Sequence, residues 1–170
     1  STAALIVIGV VCVTAFEWAN PATLGGLDMF DRVLAGWFQG VTPRTAGFNT
    51  VDIGGMHEST LVVTAILMFI GAGPASTSGG IKVTTFAVLA FALWSEVRGN
   101  PDVNAFRRRI PPGAVRQGLT VVLLSIGLVI VAALAIMGFD DLTFAPALFE
   151  VTSAFGTAGL STGITAALSQ

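Results

Sequence analysis

Long apolar runs separated by short polar or glycine-rich stretches make up most of this sequence. Runs of this kind predict helices packed in a membrane, and therefore an all-α membrane protein. Only the run 115–137, with about 23 residues, reaches the length of about 20 residues that crosses a bilayer. The first run is short for a span, so the chain is expected to begin inside a helix, as a fragment would. The runs cover residues 3–16, 28–41, 59–70, 81–94, 115–137 and 143–155.

The run at 28–41 predicts a helix that is too short to cross the membrane. Asp28 suits its N-cap, Asp31 lies at the third position after it, and Pro43 stops its continuation. About 13 residues at 1.5 Å each give about 20 Å, against a hydrocarbon core of about 30 Å. The pattern favours a re-entrant pore helix, whose negative C-terminal dipole would favour a cation. The alternative is an amphipathic helix at the membrane interface. The run at 143–155 predicts a second pore helix.

The runs 59–70 and 81–94 are separated by ten residues that do not favour a helix, GAGPASTSGG. Twelve residues descend about 18 Å from the outer surface, so the break falls near the middle of the bilayer. Irregular backbone at that depth is tolerated only inside protein or along a watery cavity. The break is therefore a candidate gate. Its residues are Gly71, Gly73, Ser76, Thr77, Ser78, Gly79 and Gly80, with Lys82 just beyond it.

The glycine-rich break does not match a nucleotide-binding loop. A phosphate loop needs G-x-x-x-x-G-K-[ST] and a dinucleotide fingerprint needs G-x-G-x-x-G, and the spacing from Gly71 to Lys82 meets neither. No paired catalytic residues compensate, so the sequence does not indicate an enzyme. Lys82 is a candidate functional cation. Its ammonium group either faces the pore or reaches the cytoplasmic interface along its stem, and both alternatives stay open.

A short loop follows each predicted pore helix, and the two loops have the same pattern. TAGFNT begins at Thr45 and TAGLST at Thr157, an offset of 112 residues. The central glycine lets backbone carbonyls take unusual directions, and rings of carbonyls can replace the water around a cation. The loops are therefore predicted to be two selectivity-filter segments of a cation pathway, in which backbone carbonyls bind the ion. The candidate ligand residues are Thr45, Ala46, Gly47, Phe48, Thr157, Ala158, Gly159 and Leu160.

The same offset relates the flanking helices. Residues 3–16 shifted by 112 fall on 115–128, whereas the partner of 59–97 would begin at residue 171, one position past the end of the sequence. The sequence therefore predicts a complete helix–pore–helix unit at 1–112. A second unit at 113–170 lacks its final helix.

Charge predicts how the helices are oriented. The chain is 54% hydrophobic and 11% charged, with a mean hydropathy of +0.83, whereas soluble domains are about 25% charged. Five of the eight basic residues lie within 98–116. Of the ten acidic residues, only Glu96 and Asp102 lie near this cluster, and the other eight lie around the two loops. Because basic linkers stay cytoplasmic, this linker is predicted to be cytoplasmic and the filter loops extracytoplasmic. The same rule explains the basic run at Arg107 to Arg109 without nucleic-acid binding.

Three stretches resemble the Trk/Ktr/HKT superfamily of potassium and sodium transporters, closest to the bacterial Ktr membrane subunits. They are Thr42–Thr50 (TPRTAGFNT), Ser76–Lys82 (STSGGIK) and Phe149–Gly163 (FEVTSAFGTAGLSTG). The resemblance implies four helix–pore–helix repeats around one pore, each with one filter glycine, here Gly47 and Gly159. On this mapping the chain holds the third repeat and most of the fourth, and residues 71–80 form the intramembrane gate.

The predicted function is K⁺ uptake across the cell membrane, passive or coupled to Na⁺ as in a symporter. The resemblance implies as partners the remaining repeats of the pore, a second copy in a homodimer and a cytosolic nucleotide-binding regulatory ring. No organic cofactor is expected in this chain. The alternatives are a member of the same family that prefers Na⁺ and a membrane scaffold that does not transport ions.

Overall fold

The computed structural model describes residues 2–44, 46–71, 80–98, 104–105, 108–109, 111–139 and 142–163. Within these ranges the chain is helical, as the apolar runs predict. Each predicted helix is found, with ends that differ from the expected ones by three residues or fewer. The helices are α1 (Thr2–Glu17), α2 (Met29–Val41), α3 (Glu58–Phe69), α4 (Val83–Val97), α5 (Pro112–Phe139) and α6 (Phe144–Gly156), with a 3-10 turn at Ile53–Gly55.

The basic linker adds one short hairpin to the helices. Strands β1 (Asn104–Ala105) and β2 (Arg108–Arg109) pair antiparallel within the basic linker, Asn104 opposite Arg109. Two residues in each strand carry too little apolar pattern to predict a strand. The pair is a local hairpin and does not change the helical class of the fold.

Packing between α1 and α2 depends on glycine. A Cβ on Gly40 would lie 2.5 Å from the Cα of Val10, and one on Gly9 would lie 2.8 Å from the carbonyl oxygen of Gly40. Gly36, one turn earlier in α2, faces the hydroxyl of Thr14 in the same way, at 2.6 Å. In lipid, moving an apolar helix face from lipid tails to another helix gains little hydrophobic free energy. Helices therefore associate through close backbone contacts of this kind.

Helices α3 and α6 also pack together. Gly156 lets α6 approach the carbonyl oxygen of Met68, to which an added Cβ would be 2.8 Å away, and the rings of Phe69 and Phe155 stack with centroids 5.7 Å apart. A buried apolar cluster continues from this contact to the loop after α6. Its members are Ile53, Met56, Leu61, Ala65, Met68, Phe149, Ala158 and Leu160.

The chain leaves helical geometry between α3 and α4, where the sequence predicts a break. The backbone N–H of Ile81 donates to the carbonyl of Phe69, the last residue of α3, at 3.0 Å. The chain after residue 80 therefore lies next to the C-terminus of α3. Gly80 has φ +82°, and a Cβ on it would lie 3.3 Å from the Cα of Gly71. The two ends of the segment 71–80 therefore meet. Gly73, Ser76, Thr77, Ser78 and Gly79 lie outside the described residues.

Only one helix of the described chain is long and apolar enough to cross a membrane alone, the part of α5 at Gly113–Gly138. Helices α3 and α4, with 12 and 15 residues, rise about 18 and 22 Å. Each is shorter than a hydrocarbon core of about 30 Å. The apolar helix α1 is also short, with 16 residues.

The start of α2 differs from the predicted cap. Asp28 is extended at the N-cap position, but its side chain makes no capping hydrogen bond. Arg32, one turn into the helix, fixes the entry instead. Its guanidinium lies over the Trp18 ring, 5.2 Å from the centroid, and donates to backbone carbonyls of the preceding loop. These are the carbonyls of Leu24, Gly25 and Leu27, at 3.0, 2.9 and 3.1 Å.

We predict that Gly40→Ala weakens the packing of α2 on α1. The new methyl would meet backbone atoms of Val10 at 2.5 and 2.6 Å, and these cannot rotate away. A cost of about 1–3 kcal/mol is expected for such overpacking. Thermal unfolding of the detergent-purified protein measures it. Gly113→Ala is the control because its Cβ would meet nothing within 4 Å. Equal melting temperatures for the two variants would contradict the packing described here.

Candidate functional site

The two glycine loops adopt the same backbone conformation and touch each other. Gly47 has φ +73° and Gly159 has φ +75°, in the left-handed region that side chains disfavour. A Cβ on Gly159 would lie 3.4 Å from the Cα of Gly47, and one on Gly47 would lie 3.5 Å from the carbonyl oxygen of Ala158. Two positions 112 residues apart in sequence are thus neighbours in space. Thr45 lies outside the described residues.

The second loop begins with a strained residue. Thr157 has φ +52°, the one positive φ on a non-glycine residue in the described chain. Its N–H donates to Ala154 O at 3.2 Å, and the N–H of Ala158 donates to Ser153 O at 2.9 Å. This is the Schellman pattern of a helix C-terminus, in which glycine normally takes the left-handed position. A threonine there costs about 1–2 kcal/mol, and its neighbours must hold it in place.

Two side chains of α6 bind the strand that follows Gly159. The Ser153 hydroxyl donates to the carbonyl of Leu160 at 2.5 Å and accepts from the N–H of Leu160 at 2.9 Å. Glu150, one turn earlier, accepts at Oε1 from the Ser161 hydroxyl at 2.7 Å. The same oxygen accepts from the N–H and the hydroxyl of Thr162 at 2.8 and 3.0 Å. Residues 160, 161 and 162 are thereby attached to the helix in succession.

The two loops differ in their surroundings. Ala158 and Leu160 are buried in the cluster against α3, whereas Ala46 is exposed and Phe48 is 73% exposed. Helices α2 and α6, which precede the loops, show the same contrast. Phe149 of α6 is fully buried, and Trp37, its counterpart at the 112-residue offset in α2, is 53% exposed.

Arg44 links the first loop to the break. Its Nη1 donates to the carbonyls of Ile70 and Gly71, at 2.7 and 2.9 Å. These carbonyls follow the last turn of α3, where the helix dipole is negative, so a guanidinium is well placed there. Both of these contacts are to backbone carbonyls. Lys82, on the other side of the break, is exposed and precedes α4 in an extended conformation.

A buried carboxylate joins α1 to the start of α3. Glu17 Oε2 accepts from the side chains of Asn20 and Thr23, both at 2.6 Å. Its Oε1 accepts from the backbone N–H of His57 at 2.9 Å and from the Thr60 hydroxyl. Asn20 also donates to the carbonyl of Gly55 at 2.9 Å, in the 3-10 turn that follows the first loop. Four donors around one carboxylate at a helix N-terminus compensate its burial.

Sequence reasoning missed the roles of Glu17, Ser153 and Glu150. Glu17 adjoins Trp18 at the end of an apolar run, which predicts an interface position rather than burial. A possible signal is the asparagine and threonine at offsets of three and six residues, since both donate to Glu17. Glu150 is an acidic residue inside the otherwise uncharged helix α6. This position is the sequence signal that could have indicated its structural role.

Apolar helices too short to span, a broken helix and two glycine loops in contact define a helical membrane protein with irregular backbone between its helices. A family model described as "TrkH: Cation transport protein" matches residues 2–170. The chain therefore belongs to the TrkH family of cation transport proteins, as its resemblance to the Trk/Ktr group predicts.

Individual relatives agree with the family. The chain is 43% identical over 164 residues to Ktr system potassium uptake protein B of Bacillus subtilis, covering 96% of this chain and 37% of that protein. It is 38% identical over 170 residues to the Vibrio alginolyticus protein of the same name, covering 100% and 37%. It is 34% identical over 169 residues to the potassium/sodium uptake protein NtpJ of Enterococcus hirae, covering 97% and 38%. The chain thus spans little more than a third of the length of these relatives.

We predict that Glu17→Ala strongly destabilises the protein. The change leaves buried donors without an acceptor, which costs on the order of 3 kcal/mol. Thermal unfolding in detergent and the protein level in the membrane are the measurements. Glu58→Ala is the control. Glu58 is exposed and is the first residue of α3, next to His57, whose N–H Glu17 binds. An exposed carboxylate at a helix N-terminus contributes at most about 1 kcal/mol. A Glu17→Ala variant as stable as Glu58→Ala would contradict a central role of the buried carboxylate.

Proposed function

We propose that this chain supplies two of the pore segments of a K⁺ uptake protein. The observation that carries the proposal is the contact between Gly47 and Gly159, two glycines in the same left-handed conformation at equivalent positions of an internal repeat. A residue in the left-handed conformation directs the neighbouring backbone carbonyls differently from a residue in a helix or a strand. Two such loops side by side can present carbonyl oxygens to one site from two directions.

The ion in this proposal is a partly dehydrated K⁺ held by backbone carbonyls. The ligands would come from Thr45 to Phe48 in the first loop and from Thr157 to Leu160 in the second. The C-termini of α2 and α6 both lead into the loops, so both helix dipoles would favour a positive charge there. The carbonyl of Leu160 already accepts a hydrogen bond from Ser153, so one of its two lone pairs remains for an ion.

Two relatives named as potassium uptake proteins support K⁺ as the transported ion. A third relative is named as a potassium/sodium uptake protein, and it favours the alternative in which Na⁺ is carried or coupled. The two proposals differ in the measured ratio of K⁺ to Na⁺ uptake. The scaffold alternative predicts no ion flux that depends on either glycine.

We propose that further repeats of the same kind complete the pore. Phe149, Ala158 and Leu160 are covered by the helix α3 and the residues before it. Their counterparts at the 112-residue offset are Trp37, Ala46 and Phe48, which are exposed. A preceding unit that resembles residues 53–68 would bury this apolar surface as α3 buries the second one. The resemblance to Ktr proteins adds a homodimer and a cytosolic nucleotide-binding ring as proposed partners, with linker 98–116 on the cytoplasmic side and the filter loops outside.

We propose that the segment 71–80, together with Lys82, forms a gate near the filter. Its ends meet at Gly71 and Gly80, so the residues between them can extend to one side without separating α3 from α4. Arg44 attaches the first loop to Ile70 and Gly71, and this contact supports a gate beside the proposed filter. A segment of glycines and small hydroxyl residues buries little apolar surface and can change conformation at low cost.

Gly47→Ser and Gly159→Ser are predicted to lower the ratio of K⁺ to Na⁺ uptake in the complete transporter that contains this chain. A side chain at φ +73° or +75° costs about 1–2 kcal/mol, and the strain is relieved by turning the carbonyls away. Uptake is measured in cells that lack other K⁺ transporters, at matched protein levels. Gly163→Ser is the control because Gly163 has φ +92° with nothing within 4 Å of its Cβ. An unchanged ratio in both filter variants would exclude the filter.

Deleting several of the residues 72–79 is predicted to raise the maximum velocity of K⁺ uptake several-fold and to leave the ratio of K⁺ to Na⁺ uptake unchanged. A gate that hinders ions by occupying space is weakened when it is shortened. The measurement is uptake velocity against external K⁺, normalised to the amount of protein in the membrane. Replacing the same residues by an equal number of glycines and serines is the control and should change velocity little. A well-expressed deletion variant with normal or reduced velocity would exclude the gate.

A further inference from the structure

Ser153 contacts the chain on both sides of Gly159. Its backbone carbonyl accepts from the N–H of Ala158 at 2.9 Å, and its hydroxyl bonds both the N–H and the carbonyl of Leu160. The residue before the glycine and the residue after it are therefore fixed to one point on α6. Between two fixed neighbours, Gly159 has little freedom to rotate its peptide groups.

Glu150 extends this attachment by two residues. It lies three positions before Ser153, so both side chains project from the same face of α6. Its Oε1 receives the backbone N–H and the hydroxyl of Thr162 together with the hydroxyl of Ser161. Hydrogen bonds to a carboxylate are stronger than those between neutral groups. The strand after Gly159 is thus held most firmly where it leaves the loop.

The first loop has no equivalent of these two side chains. The positions 112 residues before Glu150 and Ser153 are Phe38 and Val41, whose side chains cannot form hydrogen bonds. The hydrogen bonds described for residues 48–54 are local, such as that from Asn49 Nδ2 to Val51 O at 3.1 Å. The two loops therefore share a backbone conformation at glycine but differ in what fixes it.

We propose that Ser153 and Glu150 are positioning residues that fix the peptide groups around Gly159 and thereby set discrimination between K⁺ and Na⁺ at the second loop. The inference rests on the proposed function of the loops as a filter. Discrimination between cations of different radius depends on where carbonyl oxygens are held and how far they can follow a smaller ion. When the hydrogen bonds at Leu160 and Thr162 are lost, the strand can move inward and accommodate Na⁺ as well as K⁺.

The test is the ratio of K⁺ to Na⁺ uptake in the complete transporter, with Ser153→Ala and Glu150→Ala compared at matched protein levels. Each variant should lower the ratio by about three- to tenfold, the range expected for losing one or two hydrogen bonds. Glu150→Gln keeps an oxygen that can accept from Thr162, so it should fall between Glu150→Ala and the unmodified protein. The double alanine variant should be less than additive because both side chains hold the same strand.

Thr152→Val is the matched control. Thr152 is buried beside Ser153, but its hydroxyl donates within the helix, to the carbonyl of Leu148 at 2.6 Å. Its removal should leave the ratio unchanged. If Ser153→Ala does not reach the membrane, the comparison of Glu150→Gln with Glu150→Ala still decides the question.

The outcomes separate the inference from the proposed function. If the serine variants of Gly47 and Gly159 change the ratio but Ser153→Ala and Glu150→Ala do not, the filter stands and the positioning role is wrong. If Glu150→Gln raises the KM for both ions as much as Glu150→Ala and the ratio stays constant, Glu150 acts through its charge and the positioning role is also wrong. If neither serine variant changes the ratio, the filter itself is wrong.

Discussion

The left-handed backbone at Gly47 and Gly159 is the constraint on which the arrangement of the surrounding polar side chains depends. Between apolar helices, peptide groups that leave helical geometry find no water, and each must be bound by protein or face an ion. The few polar side chains near the loops meet this need. Ser153 binds the backbone after the second glycine, and Arg44 binds the carbonyls after α3. Polar residues therefore lie where helices end, although most of the chain is apolar.

The close approach of the loops depends in turn on helix packing through small residues. Gly40 allows α2 to touch the backbone of Val10, and Gly156 allows α6 to touch that of Met68. Since α2 and α6 each lead directly into a loop, these contacts set where each loop begins. Glu17 fixes the other end by joining α1 to the N-terminus of α3, which the first loop reaches after passing the 3-10 turn. The loops are thus positioned from both ends by packing and by hydrogen bonds.

The helices and the special role of the glycines could be predicted from sequence because both leave a local pattern. Apolar runs delimit the helices, and the repeated T-A-G requires a residue that tolerates positive φ. The contact between Gly47 and Gly159 could not be predicted, since it depends on helix approach distances that no local pattern encodes. The burial of Glu17 was also unexpected because its donors come from residues up to 43 positions away. The contacts of Arg44 with the carbonyls of Ile70 and Gly71 also leave no local signal, because these residues lie 26 and 27 positions further along the chain.

The internal repeat has kept its backbone while its side-chain support has diverged. Phe149 and Ser153 hold the second loop from inside the protein, whereas Trp37 at the first offers an exposed apolar ring. For an ion bound between both loops, the less firmly held loop would limit the discrimination between ions, because its carbonyls could move to accommodate a smaller ion. On the proposed function, the first loop would obtain its stiffness from the further repeat that we propose to cover Trp37 and Phe48. In a complete pore, selectivity at the first loop would therefore depend on assembly with the neighbouring unit, and selectivity at the second on side chains of its own helix.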